Sequence, residues 1–122
     1  INAGAEMVMV SHMAAPSLTG NNEPCIFSEE LVTGVLREEL AFDGVIITDA
    51  MNMAAISDYY GADEAAVMAV LAGCDMLLMP EDYEKAYNGI LAAIQEGHIS
   101  EERINDSLRR IYRIKFAGKI EE

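Results

Sequence analysis

A short apolar run that ends in an acid constrains the fold of this chain more than any other feature. Residues 45–47 are Val-Ile-Ile, Thr48 and Asp49 follow them, and a turn at residues 42–44 precedes them. A β-branched run without polar alternation is typical of a strand buried on both faces, as in parallel sheets that helices cover. Ligands bind such folds at the carboxyl ends of the strands, where Asp49 stands. From position alone, the alternative is that Asp49 is the N-cap of the next helix.

The rest of the chain repeats this alternation of strands and helices. Two more buried strands are predicted at about residues 6–11 and 76–79. Helices are predicted at about residues 28–40, 63–72, 83–96 and 101–117. The pattern indicates an α/β fold with about three parallel strands and their helices. Three strands are too few to close a barrel, so both edges of the sheet would be open.

The first ten residues resemble a later part of the same chain. Residues 1–10 and 70–79 both read as a helix end, a glycine, an acid and a buried strand. The later copy has a full helix before it. We therefore expect that the chain begins at the tail of a helix whose earlier turns lie upstream. The offset is 69 residues and spans two strand–helix units. Half of it is close to the roughly 31 residues per unit that a barrel of about 250 residues would need.

Composition limits the kinds of partner. The chain has 21 acidic and 8 basic residues and a net charge of −13, which argues against binding nucleic acid or an anionic membrane. No apolar run approaches the roughly 20 residues that a membrane span needs. Cys25 and Cys74 have no paired spacing, and Cys74 is predicted to be a small core residue. We predict no metal site and no cofactor.

A histidine marks the end of the first predicted strand. His12 could contact a ligand, act as a base or hydrogen-bond within its loop. Residues 14–27 after it are rich in turn-forming residues and are predicted to form a long loop at the rim of the sheet.

The stretch around Asp49 resembles the nucleophile signature of glycoside hydrolase family 3. Residues 43–53 read Asp-Gly-Val-Ile-Ile-Thr-Asp-Ala-Met-Asn-Met. Within the family they are most similar to the bacterial β-N-acetylglucosaminidase (NagZ-like) branch. The β-glucosidase branch usually has Trp just after the Asp, and this chain has no Trp. The resemblance runs over about residues 1–117. It implies a (β/α)8 TIM barrel, of which residues 1–122 would supply strands 6 to 8 and the C-terminal helices.

The resemblance also implies roles for three residues. Asp49 would be the catalytic nucleophile that attacks the anomeric carbon of an N-acetylglucosamine-containing glycan. His12 and Met53 would bind the substrate, and His12 would not be the proton donor. The family's acid/base motif and its sugar-binding Lys-His pair have no matching positions in this chain. We therefore expect this segment alone to be almost inactive, with the missing half of the barrel or self-association covering its open edges.

Three alternatives remain at this stage. The first is a β-glucosidase-type enzyme of the same family. The second is a receiver-like phosphoacceptor domain, although its first strand should end in Mg²⁺-binding acids, whereas this one ends in Ser11 and His12. The third is a non-catalytic barrel segment that mediates assembly, which sugar-independent self-association would favour.

Overall fold

The computed structural model describes residues 1–118, so residues 119–122 of the predicted domain lie outside it. Strands β1 (Met7–Val10) and β2 (Val45–Thr48) pair in parallel, with Met7 opposite Val45 and Val10 opposite Thr48. Six helices surround this pair in the described part of the chain, and a 3-10 turn covers Cys25–Phe27. The helices are α1 (Pro16–Thr19), α2 (Glu30–Glu39, wound with π-type hydrogen bonds), α3 (Ala54–Ser57), α4 (Ala62–Ala72), α5 (Tyr83–Gln95) and α6 (Glu101–Lys115).

The predicted third strand, residues 76–79, is wrong in extent. This segment lies parallel to β2 on the side away from β1, but only Met76 forms a bridge, with Ile47. Two residues later the Leu78 N–H donates to the Thr48 hydroxyl at 3.0 Å rather than to a backbone carbonyl. Met79 has a φ of +47°, and Pro80 has no N–H to continue a ladder. The three segments lie side by side in the expected order. Regular pairing of the third segment with β2 ends early because the Thr48 hydroxyl, and not a backbone carbonyl, accepts the Leu78 N–H.

The two strands differ in burial. In β2, Val45, Ile46 and Thr48 are buried and Ile47 is half-buried, so the burial predicted from the apolar run at residues 45–47 holds for two of its three residues. In β1 the residues alternate, and Met7 and Met9 are 42% and 54% exposed. The prediction that the first strand is buried is therefore wrong. Val8 and Val10 pack against the main core, whereas the face with Met7 and Met9 stays about half exposed within residues 1–118.

The main core lies between the covered face of the sheet and helices α2 and α4. It is an apolar cluster made of Ile26, Phe27, Val32, Phe42, Ile46, Met51, Ile56, Ala65, Ala69, Ala72 and Cys74. The buried α4 residues of this cluster are all alanines, whose small side chains let the helix approach closely, and partly buried Met68 packs at its edge. A smaller cluster joins α4 to α5 through Val70, Ala93 and Ile99. Together these contacts fix the helices that position the ends of the strands.

A buried carboxylate joins α2, β2 and α6 at the amino end of the strands. The side chain of Asp75 is fully buried. It accepts four hydrogen bonds of 2.7 to 2.9 Å, from Arg37 Nη2, the Ile46 N–H, Ser107 Oγ and Arg110 Nη1. Arg103 Nη1 lies 3.9 Å from the same carboxylate. We call these residues the Asp75 cluster.

The arginines of the Asp75 cluster are partly withdrawn from water. Burial lowers the pKa of both Arg37 and Arg103, and the negative charge of Asp75 opposes that effect. Arginine remains protonated at any ordinary pH despite such shifts. The cluster therefore holds three cations around one anion, and it depends on that anion.

Cys74, one residue before this cluster, is a core residue as predicted. It is 1% exposed, and burial raises the pKa of its thiol to about 12. At pH 8 about one molecule in 10,000 would then carry the reactive thiolate. We expect a thiol reagent to modify partly exposed Cys25 in the folded chain and Cys74 only after unfolding. Peptide mapping after labelling with and without urea measures this, and rapid labelling of Cys74 in the folded chain would contradict it.

Candidate functional site

Asp49 is the first residue beyond β2 and lies at the carboxyl ends of the strands. Its N–H donates to the Val10 carbonyl at 3.0 Å, which continues the pairing between the two strands. The carboxylate is half-buried, and its Oδ1 accepts the Ala50 N–H at 2.8 Å. The N-cap alternative for Asp49 is wrong, because the next helix, α3, begins at Ala54 with Met53 at its N-cap.

His12 reaches across from the loop that follows β1. The residue is 9% exposed, and its Nε2 donates to the Ala50 carbonyl at 2.7 Å. Its Nδ1 is buried and has no hydrogen-bond partner in the described structure. The imidazole thus lies beside the predicted nucleophile, and one of its nitrogens is committed to the backbone there.

Met53 closes the turn that follows Asp49. Its N–H donates to the Ala50 carbonyl at 3.3 Å, and its side chain is 48% exposed. Met51, between them, is buried in the main core. Of the two methionines in the signature, Met53 is therefore the one with a side chain free to contact a ligand.

The three residues predicted from sequence converge on one residue, Ala50. Its N–H binds Asp49 Oδ1, and its carbonyl accepts from both His12 and Met53. Within residues 1–118 no donor reaches Asp49 Oδ2, so one carboxylate oxygen is held and the other is available. A half-buried carboxylate with one free oxygen can act as a nucleophile or bind a ligand.

Thr48 and Leu78, to which no role was assigned from sequence, complete this rim. The Thr48 side chain is fully buried and accepts the Leu78 N–H, while the Leu78 carbonyl accepts the Met51 N–H at 2.8 Å. The role of Thr48 could have been predicted from its position at the end of an otherwise apolar strand. A hydroxyl buried there needs a hydrogen-bond partner from a neighbouring segment.

The predicted rim loop is ordered by its own contacts. Its ends meet in a bridge between Ala14 and Pro24, and the Cys25 N–H donates to the Met13 carbonyl at 3.0 Å. The short helix α1 lies between these ends.

A separate cleft does not include the proposed nucleophile. It is lined by Ser57, Asp58, Tyr59, Tyr60, Gly61, Ala62, Glu81, Asp82 and Lys85, and Asp49 is not among its lining residues.

Residues 1–118 contain neither a candidate membrane span nor a group of metal ligands. No helix there is long and apolar enough to cross a membrane. No three His, Cys, Asp or Glu side chains there are grouped as metal ligands.

Comparison with known proteins gives a consistent result. Residues 1–114 match the model of the Glycosyl hydrolase family 3 N terminal domain. The solved structure of a glycoside hydrolase family 3 β-N-acetylglucosaminidase from Paenibacillus sp. str. FPU-7 matches with a TM-score of 0.90 and 41% identity, over 94% of this chain and 22% of that chain. A "Beta-hexosaminidase" of Chromobacterium violaceum is 37% identical over 93 residues, which are 76% of this chain and 25% of that protein.

A third relative carries a double name. The "Beta-N-acetylglucosaminidase/beta-glucosidase" of Cellulomonas fimi is 29% identical over 124 residues, which are 94% of this chain and 22% of that protein. The chain thus spans about a quarter or less of the length of each of these relatives.

Proposed function

Because this chain belongs to glycosyl hydrolase family 3, we propose that it is the nucleophile-bearing part of a retaining β-N-acetylhexosaminidase. Its substrate would be a glycan with a terminal β-linked N-acetylglucosamine. The observation that carries the proposal is the position of Asp49, which follows the central strand in the family signature with Oδ1 held by Ala50. Family membership also removes the receiver-like alternative.

The proposed reaction has two steps. An oxygen of Asp49 attacks the anomeric carbon, the bond to the aglycone oxygen breaks, and an acid elsewhere in the protein protonates that oxygen. Water, deprotonated by the same group, then attacks the anomeric carbon and releases Asp49 as a free carboxylate. Retaining glycosidases place the nucleophile and the acid about 5 to 5.5 Å apart. We identify no counterpart of the family's acid/base in this chain, so the mechanism belongs to the complete protein.

The proposed architecture is the C-terminal part of a (β/α)8 barrel, with β1, β2 and the segment 76–79 as strands 6 to 8. Two observations support it. The exposed face of β1 carries Met7 and Met9, which further strands would cover. The second is that Asp49 does not line the cleft formed by residues 57–62, 81, 82 and 85. In a closed barrel the walls of the sugar site come from loops after several strands, so this proposal expects the remaining walls from the other strands.

His12 and Met53 are proposed to border the sugar. The side chain of Met53 is open to solvent beside the Asp49 loop, which suits an apolar wall for a sugar ring. His12 is almost fully buried, so its predicted contact with the sugar is limited to the small exposed part of its ring.

An activated fluoro-sugar of the N-acetylglucosamine type tests the nucleophile. Its leaving group needs little help from an acid, so the experiment depends on Asp49 and the pocket. We expect the complete protein to gain the mass of one glycosyl group, and peptide mapping to place it on Asp49. An adduct on another carboxylate, or none on the complete protein, would overturn the assignment. The 122-residue chain measured in parallel shows whether it forms the pocket alone.

The β-glucosidase alternative rests on the double name of the Cellulomonas fimi relative. A fluoro-sugar of the glucose type, used at the same concentration, separates the two substrates. Faster labelling by the N-acetylglucosamine reagent supports the proposal, and faster labelling by the glucose reagent supports the alternative. Self-association without any labelling would favour the assembly segment.

A further inference from the structure

The peptide unit between Ala50 and Met51, one residue beyond the proposed nucleophile, is held from both sides. Its carbonyl, that of Ala50, accepts from His12 Nε2 at 2.7 Å. Its N–H, that of Met51, donates to the Leu78 carbonyl at 2.8 Å. One contact comes from the loop after β1 and the other from the segment 76–79. The turn that begins at Asp49 is therefore braced by both of its neighbours in the sheet.

The His12 contact defines the protonation of the ring. A carbonyl oxygen only accepts, so Nε2 carries the proton that it donates. Nδ1 is buried and has no partner among the described residues, so it is the unprotonated nitrogen. A proton on Nδ1 as well would be a buried donor without an acceptor, which folded proteins avoid. The Nε2 contact fixes the orientation of the imidazole ring.

We propose that His12 is a positioning residue, which sets the orientation of the Asp49 carboxylate through Ala50. This inference rests on the proposed function of Asp49 as a nucleophile. His12 fixes the Ala50 carbonyl, and the Ala50 N–H holds Asp49 Oδ1 at 2.8 Å, which leaves Oδ2 for attack. Removing the His12 donor would let the turn rotate and Oδ2 move away from the line of attack. A displacement of about 1 Å at a reacting group can cost on the order of 100-fold in rate.

This role differs measurably from the sugar contact predicted from sequence. A residue that contacts the sugar alters the concentration of fluoro-sugar needed for half-maximal labelling. A residue that orients Asp49 alters the maximal rate of labelling instead. The two constants therefore separate the two roles of His12.

The test uses His12→Leu and His12→Gln in the complete protein. Leucine removes the donor, whereas the glutamine side chain can place an N–H₂ donor near the position of Nε2. For His12→Leu we expect maximal labelling to be at least about tenfold slower, with half-saturation within about twofold of wild type. His12→Gln should recover most of the rate. The control is Ser11→Ala, because the Ser11 hydroxyl accepts only the Met13 N–H in the described structure, and its labelling should match wild type.

Three outcomes would overturn the inference: a weakened half-saturation with an unchanged maximal rate, no change in either constant, or no recovery with glutamine. If the leucine variant does not fold, nitrogen NMR of wild-type His12 still decides the contact, since an unprotonated Nε2 could not donate to the Ala50 carbonyl and would contradict it. If wild type shows no labelling, the proposed function fails, while the protonation state of His12 still tests the hydrogen bond to Ala50.

Discussion

Replacing Asp49 by asparagine is expected to lower kcat of the complete enzyme by roughly 10⁴ to 10⁶-fold, the scale seen when a member of a covalent catalytic unit is removed. The amide oxygen can still accept the Ala50 N–H, so the turn keeps its shape. The amide cannot form the glycosyl ester, because its oxygen carries no full negative charge. Hydrolysis of an aryl N-acetylglucosaminide measures the loss, and the fluoro-sugar adduct should disappear with it.

Asp43→Asn is the matched control for this substitution. Asp43 lies at the opposite end of β2, is 77% exposed in its side chain and pairs with Arg113 at 2.7 Å. Its replacement should leave kcat within about twofold, since surface changes away from a site have small effects. If Asp49→Asn kept activity within tenfold of wild type, Asp49 would not be the nucleophile.

Replacing Asp75 by alanine is expected to lower the free energy of unfolding of the 122-residue chain by about 3 to 5 kcal/mol, the cost of removing one partner from a buried ion pair. Three arginines would then face one another without their common anion, and the Ile46 N–H would lose its acceptor. A domain of this size has about 5 to 15 kcal/mol of stability in total. Urea unfolding followed by circular dichroism measures the loss.

The exposed residue Asp43 provides a control for the Asp75 prediction in the same chain. Asp43→Ala breaks the pair with Arg113, which is exposed on both sides, and should cost about 0 to 1 kcal/mol. If Asp75→Ala does not fold, Asp75→Asn keeps the size of the side chain and can still accept from Ile46, so its smaller loss remains measurable. Equal effects at Asp75 and Asp43 would show that the buried cluster contributes no more than a surface pair.

Local patterns in the sequence were enough for much of the fold. The helices at residues 62–72, 83–95 and 101–115 begin and end within two residues of the predicted bounds, because their caps are local. Asp82 and Ser100 accept from the N–H three residues on, as N-caps do. The apolar run of β2 likewise predicted a strand buried on both faces.

The predictions that failed concern contacts between distant segments. The segment 76–79 has the composition of a strand, yet the Thr48 hydroxyl takes its hydrogen bond and regular pairing ends. β1 has the composition of a buried strand, yet Met7 and Met9 stay about half exposed. Neither the early end of pairing at residues 76–79 nor the exposure of β1 can be predicted from the residues of those segments. Both depend on which other segment of the chain lies beside them.

The sequence by itself determined that Asp49 follows a buried parallel strand and belongs to a family signature, because strand burial and motif spacing are properties of adjacent residues. Only the tertiary structure decided that His12 reaches the Ala50 carbonyl beside Asp49, and that Asp75 joins Arg37, Arg103 and Arg110. These contacts join residues up to 38 positions apart. Packing of the helices against the sheet brings such residues together, and no local pattern encodes which donor will reach which acceptor.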